Sequence, residues 1–68
     1  MFQVNAGLVR QLLIQRRLSL RQFAIQAGLN HATALKCIRD GATVAITTVA
    51  ALARFFNTSG DELILKKG

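Results

Sequence analysis

The 68-residue chain predicts an all-α fold of five short helices, with a short strand as an option at a terminus. Three observations carry that expectation. Apolar residues recur at intervals of three and four, as in Leu8, Val9, Leu12 and Leu13, the stripe of an amphipathic helix. Helix-starting residues stand ahead of such stripes and residues that tolerate positive φ stand behind them. The length allows one small domain, close to the lower limit of what folds alone.

Each element has its own reason. The first helix runs from about Asn5 to Arg16 on the stripe just named. Ser19 opens the second, and Gln22 three residues on completes a capping box. Phe23, Ala24 and Ala27 mark its buried side, and Gly28 ends it in a left-handed turn. Asn30 caps a third helix that reaches about Arg39 and turns Ala34, Cys37 and Ile38 inward. Asp40-Gly41 signals a turn. Thr43 to Thr48 is strand-like in composition but is expected to be a loop into a fourth helix, Thr47 to Phe56. That helix buries Val49, Leu52, Ala53 and Phe56, and Asn57 supplies a left-handed cap. Ser59 and Glu62 form a second capping box and start a fifth helix. The apolar Leu63-Ile64-Leu65 either pairs as a strand with Phe2-Gln3-Val4 or faces another subunit.

Composition excludes several classes. A 51% hydrophobic content rules out a disordered basic tail. A single Cys cannot form an internal disulfide, and one Cys with one His falls short of a zinc site. No metal, cofactor or small-molecule ligand is expected. No carboxylate pair, triad or nucleophile with a partner base suggests catalysis, so the chain does not read as an enzyme. The longest candidate for a membrane span, Ala42 to Ala53, is too short for a bilayer and carries Thr43, Thr47 and Thr48. The chain is expected to be complete, cytoplasmic and nucleoid-associated.

Charge is more telling in its placement than in its sum. The net charge is +6, from nine Lys+Arg against three Asp+Glu. Arg10, Arg16, Arg17, Arg21, Lys36 and Arg39 all precede Asp40, and no acid lies among them. After that point Arg54, Lys66 and Lys67 cancel Asp40, Asp61 and Glu62. A domain with one basic half suits a densely anionic partner.

The centre of the chain fits a helix-turn-helix. Counting from Leu20, the fifth position is Ala24, which lets two helices cross closely, and the ninth is Gly28, which makes the turn. The apolar positions are filled by Phe23, Ala27, Leu29, Ala34 and Cys37. With Leu18-Ser19 ahead of it, Gly41 behind the third helix, Leu52-Ala53 and the ending Phe56-Asn57-Thr58-Ser59-Gly60-Asp61-Glu62-Leu63, the chain resembles the phage-repressor (Cro/XRE-type) helix-turn-helix family over roughly residues 5–65. The resemblance implies a five-helix lambda-repressor-like DNA-binding domain of bacterial or phage type. Such a domain occupies residues 1–68, with the motif helices at about 20–27 and 31–39.

The resemblance also implies contacts. His31, Ala32 and Lys36 map to base-facing positions in the major groove. Asn30, Thr33, Leu35 and Arg39 map to backbone or base contacts. Arg21, Gln22, Gly41, Thr43 and Thr47 map to phosphate contacts. Each has a plainer alternative: His31 as a solvated side chain, Lys36 and Arg39 as a wet helix face, Arg16 and Arg17 as complements to their own helix dipole. Three departures from the family pattern stand out. Leu20 occupies the place of a phosphate-binding Gln, so Arg21 or Gln22 would substitute. Leu13 and Ile38 replace a common Arg–Glu pair and imply an apolar contact. Asp40 adds a residue before Gly41.

The reading that follows is a repressor-like regulator that binds a double-stranded operator as a homodimer joined through its apolar terminal segments. The alternative is a protein-interaction module on the same scaffold, antitoxin-like or an anti-repressor partner. A basic membrane-surface domain fits worst, because it leaves the Gly turn and the capping residues unexplained.

Overall fold

The structure, a computed structural model, describes residues 1–65. Its elements in chain order are β1 (Phe2–Gln3), α1 (Ala6–Gln15), α2 (Leu20–Ala27), α3 (His31–Cys37), β2 (Thr43–Val44), α4 (Ile46–Phe56) and α5 (Gly60–Leu63). The five helices are those the sequence predicts, joined by a two-stranded antiparallel sheet.

Local chemistry starts and stops the first three helices. The Asn5 side chain accepts the Leu8 N–H at 3.2 Å and opens α1. Ser19 and Gln22 make the reciprocal capping box of α2, with bonds of 3.1 and 2.9 Å. Asn30 accepts the Thr33 N–H at 2.8 Å and opens α3. α1, α2 and α4 end alike: Arg17, Gly28 and Asn57 take φ of 56°, 73° and 53°, and the next residue's N–H donates back to Leu13, Ala24 and Ala53. This six-to-one closure needs a left-handed residue, which glycine adopts without strain and arginine does not.

Four expectations need correcting. α3 stops at Cys37 rather than Arg39, because Ile38 leaves helical geometry at φ −108° and ψ 3° and Gly41 then turns the chain at φ 82°. Thr43–Val44 is a strand, since Phe2 and Gln3 pair with Val44 and Thr43. α4 begins at Ile46, one residue early, on a cap residue with no side-chain hydrogen bond. The Ser59–Glu62 box does not form; the Glu62 carboxylate accepts the Thr58 hydroxyl instead, and Ser59 makes no side-chain cap.

The terminal segment takes the first of its two expected roles. Ile64 bridges Val4, the Asn5 N–H donates to the Leu63 carbonyl at 2.7 Å and the Leu65 N–H to that of Gln3 at 2.9 Å. Leu63 is fully buried. β1 is thereby paired along both edges, and the two ends of the described chain close the domain.

The core gathers Val9, Leu13, Phe23, Ala34, Cys37, Val44, Val49, Leu52, Phe56 and Leu63. At its centre Phe23 of α2 packs against Phe55 and Phe56 of α4, with ring centroids 5.7 and 5.8 Å apart. Such pairs add about 0.5–1.5 kcal/mol each beyond area burial. Cys37 is a packing residue: burial pushes its thiol up from 9.0 to about 11. No helix of the described residues is long and apolar enough to cross a membrane.

Two arginines of α1 do work that their spacing did not announce. Arg16 turns away from its own helix and donates to the carbonyls of Phe55 and Phe56 at 3.4 and 3.3 Å, over both rings. It therefore complements the C-terminus of α4, not of α1. Arg10 donates to the Ile38 carbonyl at 2.7 Å and pairs with Asp40 at 3.4 Å. Leu13 is buried and Ile38 is half-buried against the core.

Candidate nucleic-acid interface

α2 and α3 meet at Gly28, where Ala24 is buried and small enough for a close crossing. Phe23, Ala34 and Cys37 pull the inner sides of both helices onto the core. Their outer sides therefore face solvent as a fixed unit. On α3, His31, Ala32, Lys36 and Arg39 just beyond it are exposed, while Thr33 and Leu35 are half-buried. Ala32 and Thr33 stand four and three residues before Lys36, so the three share a face, with His31 and Leu35 on the neighbouring stripe.

Several of the phosphate candidates lie around this face. Arg21, in the first turn of α2, is exposed, as are Gly41, Thr43 on β2 and Thr47 in the first turn of α4. Gln22 and Asn30 are partly committed: each gives its side-chain oxygen to a helix cap, leaving the amide NH2 as donor. Leu20 packs against the core and offers nothing to an anion. Among the described residues, the side chains of Arg21, Lys36 and Arg39 make no hydrogen bond or ion pair.

An open depression of about 200 Å³ lies beside α3. Thr33, Lys36, Thr43, Val44, Ala45, Thr48 and Met1 line it. It brings together three residues the sequence proposes, Thr33, Lys36 and Thr43, and adds four it does not, Val44, Ala45, Thr48 and Met1. Nothing local marks Thr48 and Met1, because the β1–β2 pairing and the start of α4 bring them there. The same pairing leaves α4 starting on Ala45, whose side chain cannot accept an N–H, so the first amides of that helix are unspent. Among the described residues, no group of three His, Cys, Asp or Glu side chains could hold a metal ion.

The arrangement is a basic, acid-poor helix face with hydroxyl and amide donors beside it, the chemistry that phosphates and base edges require. A family model for the Cro/C1-type HTH DNA-binding domain matches residues 9–65. The chain belongs to that family. The match runs from within α1 through α5, so the whole helical bundle, and not the α2–α3 unit alone, is a Cro/C1-type domain. No curated protein and no solved structure matches the chain. In this Cro/C1-type domain, α2 and α3 are the two helices of the helix-turn-helix motif.

Proposed function

We propose that the protein is a sequence-specific regulator of transcription that binds double-stranded DNA with α3 in the major groove. The observation that carries this is the face of α2 and α3, where Arg21, Lys36 and Arg39 are exposed without partners among the described residues, in a Cro/C1-type domain. His31 and Lys36 are the base readers, Lys36 toward guanine acceptors, and Ala32 meets a thymine methyl. Arg21, Thr43, Thr47, the backbone at Gly41 and the unspent amides of α4 hold phosphates on either side. Asn30 and Gln22 contribute their amide NH2 groups, and Thr33, Leu35 and Arg39 line the groove walls.

The protein acts as a homodimer on two half-sites about 34 Å apart. Leu63 and Ile64 are spent on closing the fold, so what the apolar terminal segments leave exposed for a second copy is Met1, Phe2 and Leu65.

Selection of bound sequences from random duplexes tests the reading directly. A symmetric enriched site with a steep salt dependence is expected. Lys36→Ala should flatten preference at one base pair by about 1–3 kcal/mol, while Arg21→Ala should weaken all sequences alike. Binding that is indifferent to salt and sequence would overturn it. Stable capture of one protein partner, with α3 covered, would favour the interaction-module alternative instead.

A further inference from the structure

We propose that Arg10 is a positioning residue for the turn that leaves the C-terminal end of α3, holding that turn and cancelling the acid it carries. This rests on the DNA-binding reading above and goes one step past it.

Residues 38–42 leave the recognition helix and pass to β2. Within them, the Arg39 N–H donates to Lys36 and the Ala42 N–H to Arg39, both at 3.3 Å, long bonds that leave the turn weakly held by itself. Arg10 reaches this segment from α1, twenty-eight residues away in sequence. One guanidinium nitrogen donates to the Ile38 carbonyl at 2.7 Å, and the other lies 3.4 Å from the Asp40 carboxylate. The first bond satisfies an otherwise orphaned carbonyl at the negative end of α3. The second concerns the one acid in residues 1–60. Asp40 stands between Arg39 and Gly41 at the exit of α3, where an uncancelled carboxylate would repel an approaching phosphate.

The pair is too exposed to matter much for stability, with the two side chains 45% and 80% accessible. Its effect falls on where the turn sits and on what charge it presents.

Amide exchange and duplex affinity are measured together in wild type and in Arg10→Ala, Arg10→Lys, Asp40→Asn and the Arg10→Ala/Asp40→Asn double variant. In Arg10→Ala the Ala42 amide is expected to exchange roughly tenfold faster, with α1 and α4 amides unchanged. Duplex binding should weaken about tenfold at low salt, and Asp40→Asn should recover most of that loss. Arg10→Lys keeps the charge with a single point of contact and should fall between; it is the working variant if Arg10→Ala does not fold. Unchanged Ala42 exchange in the Arg10 variants overturns the proposal whatever the affinity does, and so does a loss of binding that Asp40→Asn leaves untouched. The exchange measurement needs no DNA. Faster Ala42 exchange in a chain that binds no duplex would therefore keep the positioning role and overturn only the DNA reading.

Discussion

The α2–α3 pair and the α4–α5 pair are both two helices joined by a tight left-handed turn, yet they are held in different ways. α2 and α3 each begin on a side-chain cap, Ser19 with Gln22 and then Asn30. α4 and α5 begin on Ala45 and Ser59, neither of which makes one. What fixes α4 is distant in sequence: Phe23 stacked on its aromatic pair and Arg16 on its last carbonyls. The half that carries the helix-turn-helix is specified largely by its own residues, while the half that supports it depends on the assembled core.

The largest expected break in that contrast is Phe23→Ala. Phe23 has no exposed surface and joins the two pairs. Its loss should cost about 3–5 kcal/mol. A small domain has few more than that in total, so thermal melting should show a largely unfolded chain.

Next comes alkali. The Cys37 thiol keeps its proton in the folded state to about pH 11 against 9.0. Between those values the unfolded chain holds fewer protons, so stability falls as pH rises. The drop is on the order of 2 kcal/mol by the upper end. Denaturant melts across that range should lose this part of the slope in Cys37→Ala, whatever that variant's absolute stability.

The caps sharpen the comparison on a smaller scale. Ser19→Ala and Asn30→Ala should each cost about 1 kcal/mol. Arg17→Gly should move the other way. It relieves a left-handed arginine and should stabilise by about 0.5–1 kcal/mol in the same melts, unless the lost charge offsets it. Ser59→Ala should leave the midpoint where it is, since Ser59 caps nothing. A loss there equal to that of Ser19→Ala would erase the distinction between the two halves.

The same contrast explains what could be read from sequence. α2, Gly28 and the start of α3 are legible because caps and a glycine turn act within four residues, and the structure places them as expected, while α3 ends two residues early. β2 was not, because two strand-like residues become a strand only when Phe2 and Gln3 lie beside them. The Ser59–Glu62 spacing is a valid cap signal that failed to a nearer competitor, the Thr58 hydroxyl. At the interface, exposure of His31, Ala32, Lys36 and Arg39 follows from helix period alone. Arg10, Arg16 and Thr48 were out of reach, since each acts on or beside a segment far along the chain. Arginines on a supporting helix look the same in a sequence whether they brace a neighbour or only add charge.

The pairing of β1 along both its edges has a practical side. Met1 lines the same depression as Thr33 and Lys36, so anything fused ahead of it emerges beside the recognition helix. Leu65 leaves from the opposite edge, bonded to Gln3. An affinity tag at the front of this protein would therefore crowd the depression beside α3.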